Sequence, residues 1–155
     1  MFKLNRMTDY AVVMMADMAR SEDCIRTAPE IATATGVPLP TVAKLLKNLA
    51  NAGLLASQRG AGGGYLLGRD PKAITVVEII AAVEGPIALT ACVTGSQDSC
   101  EVEPICSMRG NWDKVNKAVR RALGEVTLVD MMPEPMAFPP LDDIRQASGS
   151  AGGLK

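Results

Sequence analysis

Apolar residues recur along this chain with the spacing of helices. In residues 8–20 (TDYAVVMMADMAR), Ala11, Met14, Met15 and Met18 fall at i, i+3, i+4 and i+7 and mark one face of a helix that Thr8 or Asp9 can cap. After a polar connection at 21–26, Thr27 and Glu30 stand at capping-box spacing, Pro29 lies in the first turn and Gly36 follows, which predicts a short helix over about 28–35. A tight turn then leads to a helix that Pro40 opens and Gly53 ends, with Val42, Leu45, Leu46 and Leu49 as its apolar stripe. Its outer face carries Thr41, Lys44, Lys47, Asn48 and Asn51 and no acidic residue. Two short helices, a tight turn and an amphipathic helix with a basic, amide-rich face make the layout of a helix-turn-helix.

The pattern then changes period. Leu54–Ala56 and Tyr65–Leu67 are short apolar segments around a glycine-rich turn, which predicts a hairpin. After a helix-turn-helix, a hairpin is a wing. Its tip holds Arg59, Gly60, Gly62, Gly63 and Gly64; glycines let backbone approach phosphates, and one arginine can enter a minor groove. A nucleotide-binding loop fits poorly, because no G-x-x-x-x-G-K-[ST] pattern or βαβ unit surrounds these glycines. Thr75 and Glu78 form a second capping box, opening a helix over Val76, Val77, Ile79, Ile80 and Val83 that Gly85-Pro86 ends. A last helix follows in GNWDKVNKAVRRALGEV (110–126). Trp112, Val115, Val119 and Leu123 mark its apolar side, with Lys114, Lys117, Arg120 and Arg121 outward. So small a domain buries such a stripe most economically against a second copy. From about residue 133 the chain is rich in Pro, Gly and Ser, and a disordered tail is expected.

Composition narrows this picture only slightly. The 155 residues suit one domain with an appendage. Only five residues are aromatic, so the core rests on Leu, Val, Ile, Ala and Met. The formal net charge is −1, yet residues 1–70 hold eight Lys/Arg against six Asp/Glu, and residues 71–155 hold eight against eleven. The first half therefore leans weakly toward an anionic partner. No apolar run spans a bilayer, and Asp9 and Asp17 interrupt any secretory signal at the start; a cytosolic protein without a membrane partner is expected.

Three of the four cysteines, Cys92, Cys100 and Cys106, cluster as C-x7-C-x5-C among Gly, Ser, Gln, Asp and Glu, in a chain with no histidine. Core burial fits badly in so polar a loop, and three is an odd number for disulfides in a reducing compartment. Structural zinc usually takes four N or S ligands, often in close pairs, whereas iron–sulfur clusters tolerate longer spacing and an occasional non-cysteine ligand. Spacing favours iron–sulfur over zinc by a small margin. Cys24, preceded by Glu22 and Asp23, reads as an incidental loop cysteine. An enzyme is not indicated: the chain has no histidine, no nucleophile–base pattern and no paired carboxylates in an apolar setting.

Several stretches together resemble the Rrf-two family of winged-helix bacterial regulators, IscR- and NsrR-like, and above all its branch that governs SUF iron–sulfur cluster assembly. They are LNRMTDYAVVMMADMA, PEIATATGVPLPTVAKLLKNLANAGLLASQRGAGGGYLLGR, ITVVEIIAAVEGPI and the three-cysteine loop before a helix, covering about residues 1–132. The R-G-x-G-G-G-Y wing followed by three cysteines is the most specific part. The resemblance implies a mainly α fold with a small β-hairpin wing, a winged helix-turn-helix plus a long dimerisation helix. It implies a homodimer on a palindromic double-stranded operator, with Pro40, Thr41, Lys44, Lys47 and Asn48 on the recognition helix and Arg59, Gly60, Gly62 and Gly63 in the wing. Cys92, Cys100 and Cys106 match ligands of an iron–sulfur cluster, 2Fe–2S rather than 4Fe–4S.

Two features depart from that pattern. The first gap between cysteines is long, and Arg109 stands where one branch has a histidine. Another branch uses a carboxylate near the N-terminus, which makes Asp9, from the same or the partner subunit, a candidate fourth ligand; the alternative is that Asp9 simply caps the first helix. The expected divisions are a DNA-binding unit over 1–84, a cluster-binding loop over 85–110, a dimerisation helix region over 111–132 and the tail over 133–155. The expected function is cluster-dependent control of iron–sulfur assembly (SUF/ISC) genes. The rivals are a zinc-stabilised winged-helix repressor without redox sensing, and a small iron–sulfur carrier or redox protein.

Overall fold

The computed structural model describes residues 3–21, 24–96, 98–108 and 110–132; the expected tail lies outside these. In chain order the elements are α1 (Arg6–Arg20), α2 (Ala28–Thr35), α3 (Leu39–Asn51), β1 (Leu55–Gln58), β2 (Gly64–Leu67), α4 (Val76–Glu84), α5 (Asn111–Gly124) and α6 (Leu128–Met131), with 3-10 turns at Pro71–Ala73 and Glu103–Ile105. None of the helices described is long and apolar enough to cross a membrane.

Helix α1 begins two residues before the expected start. Its cap is Asn5, whose side chain accepts the Met7 N–H at 3.1 Å. Thr8 and Asp9 are therefore not the cap. Thr8 is only 1% exposed, and a hydroxyl so buried needs a partner. It donates to Glu84 at the end of α4, which also accepts the Asn5 N–H at 2.9 Å. The methionine stripe is core as expected, Met14 and Met15 being fully buried.

Helix α2 follows its capping box, with Gly36 left-handed at φ 72° after the last turn. Helix α3 starts one residue before Pro40, and Val42, Leu45, Leu46 and Leu49 all face the core. Side chains of this size each contribute about 1.5–3 kcal/mol when fully buried.

The hairpin pairs β1 with β2 antiparallel, Leu55 opposite Leu67 and Gln58 opposite Gly64. Leu54, expected in the first strand, instead closes the core at 1% exposure. A third strand segment is a single residue: Arg26 and Tyr65 exchange both backbone hydrogen bonds at 2.8 Å. That approach explains Gly64, where a Cβ would lie 2.6 Å from the Arg26 carbonyl oxygen. The Arg26 guanidinium turns back to Asp17 of α1 at 3.3 Å.

The C-terminal part does not continue as one helix. Helix α5 ends at Gly124, and Thr127 opens α6 with a capping box to Asp130. Between them the chain returns to the winged unit: the Val76 N–H donates to the Val126 oxygen at 2.9 Å and the Leu128 N–H to the Ile74 oxygen at 2.8 Å. Leu128 is fully buried in the main core. A second, smaller core joins Val76 and Ile80 of α4 to Ile87, with Leu123 and Val126 packed on it.

The start of α4 carries a titratable lock. Burial pushes the Glu78 carboxyl up, but the Arg69 guanidinium at 2.7 Å and the Thr75 N–H and hydroxyl outweigh it, so its pKa lies below the ordinary 4.5. A depressed carboxyl stabilises the fold above its unfolded pKa and loses that contribution as pH falls through the folded one. Glu78→Ala is expected to cost about 1 kcal/mol at neutral pH in urea unfolding. The gap to wild type should narrow as pH drops below 4.5; a gap independent of pH would refute the charged lock.

A candidate DNA-reading face and a cysteine loop

The face of α3 opposite its buried leucines carries Pro40, Lys44, Lys47 and Asn51, all exposed, at spacings that align them in one row. Thr41 and Asn48 flank the row half-buried, and α3 contains no acidic residue. At the wing tip Arg59, Gly60 and Gly62 are exposed. The glycines there differ in kind. A Cβ on Gly63 would lie 2.4 Å from the Gln58 oxygen, and Gly60 sits at φ 114°, so the turn itself requires both. Gly62 faces open space, so packing within the chain makes no demand for glycine there. The expected DNA-contacting residues are thus on the surface or at its edge, on α3 and the wing tip.

The cysteine loop begins from a stem pinned to α5. Asn116, in the middle of that helix, is 3% exposed. Its Nδ2 donates to the Ile87 oxygen at 3.0 Å, and its Oδ1 accepts the Leu89 N–H at 3.2 Å. One turn earlier, Asp113 Oδ1 accepts the Thr94 N–H at 2.8 Å. Between these anchors the Thr90 hydroxyl lies 3.3 Å from Cys92 Sγ, and Val93 is buried. Cys100 and Cys106 bracket the Glu103–Ile105 turn, with the Cys100 oxygen accepting the Glu103 N–H at 3.2 Å and the Cys106 N–H donating to the Glu103 oxygen at 3.3 Å.

All three loop cysteines are half-buried free thiols, and Cys24 is an exposed free thiol between α1 and α2. The donors suit soft, thiolate-bound iron in kind. They are not drawn together here: among the described residues no group of three His, Cys, Asp or Glu stands close enough to hold an ion. Asp9 is exposed on the first turn of α1 and lines a groove with Leu4, Val12, Glu84 and Met131, apart from the cysteines. Arg109 lies outside the described residues.

Asn116 turns inward on α5 and Leu123, expected in the apolar stripe, packs on the small core, while Trp112 and Val115 of the same stripe are 41% and 46% exposed. Lys114, Lys117, Arg120 and Arg121 are exposed as expected. Asn116 and Asp113 were not foreseen as structural anchors; their spacing of three on one face was the available signal.

Residues 4–134 match the family model described as "Rrf2: Iron-dependent Transcriptional regulator". The HTH-type transcriptional regulator IscR of Yersinia enterocolitica is 33% identical over 124 residues, 79% of this chain and 74% of that protein. The structure of CymR, the global cysteine regulator of B. subtilis, aligns with a TM-score of 0.63 at 32% identity over 84% of this chain and 96% of that one. T. potens IscR aligns with a TM-score of 0.59 at 30% identity over 94% and 90%. These relatives are regulators of transcription rather than enzymes, and this chain belongs to the Rrf-two (Rrf2) family of winged-helix transcriptional regulators.

Proposed function

We propose that this regulator is a cytoplasmic homodimer that reads a palindromic operator and adjusts its grip according to an iron–sulfur cluster, controlling genes of iron–sulfur assembly (SUF/ISC). The observation that carries the reading is the cysteine loop itself: three free, half-buried thiols on one loop whose stem is hydrogen-bonded to α5. Cys92, Cys100 and Cys106 would hold the cluster, 2Fe–2S, with Asp9 of the partner subunit as fourth ligand. Bound there, the cluster supplies a link between distant thiols that oxidants or iron scarcity can remove.

Three parts divide the work: residues 1–84 read DNA, 85–110 hold the cluster and 111–132 pair the subunits. Support for pairing comes from α5. Trp112, Val115, Val119 and Ala122 follow one another at spacings of three and four, as in a coiled-coil seam, and the first two are exposed large apolar side chains. A second apolar strip, Val13 of α1 and Met131 of α6, is also uncovered and flanks the groove that holds Asp9. A second copy that covers both strips would bring its loop toward Asp9.

On DNA, Lys44, Lys47 and Arg59 contact phosphate or groove edges, Thr41 and Lys44 read bases from α3, Pro40 and Asn48 border the contact, and Gly60, Gly62 and Gly63 let the wing backbone come close. Half-sites on one face of the duplex lie about 34 Å apart per helical turn. A small change in how two subunits pair then alters affinity without altering any single contact.

Three outcomes are expected. Protein purified anaerobically absorbs visible light and contains iron and sulfide in comparable amounts, and loses both on Cys92→Ala; colourless, zinc-bound protein with full operator binding would overturn the sensing role. Asp9→Ala shortens the lifetime of the visible spectrum in air; an unaltered spectrum and lifetime would remove Asp9 from the ligand set. Lys44→Ala combined with Arg59→Ala, which removes two cations from each subunit of the dimer, weakens operator binding and reduces the slope of log affinity against log salt by about 4; unchanged affinity and slope would contradict this DNA-contact map.

A further inference from the structure

The stem of the cysteine loop is held by two side chains of α5 that belong neither to the proposed cluster ligands nor to the proposed DNA contacts. Asn116 binds Ile87 and Leu89 through both ends of its carboxamide, and Asp113 binds Thr94. These contacts fall on both sides of Cys92, whose sulfur also meets the Thr90 hydroxyl at 3.3 Å. Cys100 and Cys106 are hydrogen-bonded through their backbones to the turn at Glu103–Ile105. The loop is thus fastened to α5 at its first cysteine, and that fastening lies on the helix face next to the exposed Trp112 and Val115.

We infer that Asn116 and Asp113 are positioning residues: they fix Cys92 to α5, so that any rearrangement which draws the other thiols toward Cys92 pulls on the dimer helix. This rests on the cluster-sensing reading above and adds the route by which the loop acts. A free loop could close around iron and leave α5 where it was. A loop sewn to α5 at Leu89 and Thr94 cannot. The buried carboxamide has no slack, because expelling it strips the Ile87 carbonyl and the Leu89 N–H of their partner.

The test uses the full chain with Asn116→Ala, Asp113→Ala and Asp113→Asn. In the last, an amide oxygen can still accept the Thr94 N–H. The first readout needs no cluster: in iron-stripped protein, deuterium exchange at the Leu89 amide should accelerate in Asn116→Ala. That at the Thr94 amide should accelerate in Asp113→Ala and stay slow in Asp113→Asn. The second is the ratio of affinities of cluster-loaded and stripped protein for a palindromic duplex selected against wild type. A ratio of about 5–150 in wild type, whichever form binds better, should fall toward 1 in both alanine variants and be retained in Asp113→Asn.

If wild type holds no iron, or binds DNA equally well with and without it, the sensing reading fails and the exchange data alone judge the fastening. If wild type responds and the alanine variants respond as fully, with stem amides as slow as before, the inference is overturned. Should Asn116→Ala not fold, Asp113→Ala against Asp113→Asn decides, since Asp113 makes a surface hydrogen bond whose loss the fold tolerates.

Discussion

A carboxamide buried in a helix must find partners for both its ends, and Asn116 finds them in the backbone of one passing strand of chain. Much else about α5 follows from that pairing. With Asn116 and Leu123 turned inward, the helix has a fixed rotation about its axis, and Trp112 and Val115 are carried to the outside. An aliphatic residue at 116 would bury as well, yet it would select no register for the segment crossing it. Losing one partner costs about 1–3 kcal/mol, because the other atom stays buried and unpaired. The polar contact thus specifies an arrangement that apolar packing alone would leave loose.

Much of the reading head could be read from the sequence, because its signals are local. The capping boxes at Thr27–Glu30 and Thr75–Glu78, the glycine after α2 and the leucine stripe of α3 each act within one or two turns of chain, and each appears as expected. What was missed depends on contacts distant in sequence. Thr8 looks like a cap until Glu84, seventy-six residues on, claims its hydroxyl, and Asn5 then takes over the helix start. Arg26 looks like part of a polar connection until Tyr65 pairs with its backbone. Asn116 was passed over because periodicity weighs Val and Trp above Asn, whereas here an amide with two backbone partners takes the buried position. For the cysteines, spacing gave the donor type but not the assembled geometry, since no three donors converge among the described residues.

Charge is arranged more tellingly than its total suggests. A net of −1 says little, but α3 carries two lysines and no acidic residue on its outer row, while Asp98 and Glu101 of the cysteine loop are exposed acids. Local sign rather than net charge governs approach to a polyanion within a Debye length of about 8 Å. Basic and acidic side chains are thereby kept on separate elements: a basic face on α3, proposed to meet DNA, and an acidic, thiol-bearing loop.

That separation sets how a change at the loop can reach α3. Helix α5 is joined to α4 by the small core around Ile80 and Ile87, and the segment after α5 is hydrogen-bonded to the chain before α4 at Ile74 and Val76. Helix α4 in turn shares the main core with α3 through Ile79, and holds α1 through Glu84. Bending this chain of contacts inside one subunit would break buried packing at each joint, and packed cores shift between discrete arrangements rather than deform smoothly. The uncovered apolar side of α5 has no such restraint within the subunit. In the proposed dimer, a pull on the loop stem would therefore be released most cheaply between two copies of α5, moving two intact winged units relative to one another. On the proposed operator, with two half-sites at fixed separation, such a displacement would change how well the row on α3 engages DNA without altering any single contact.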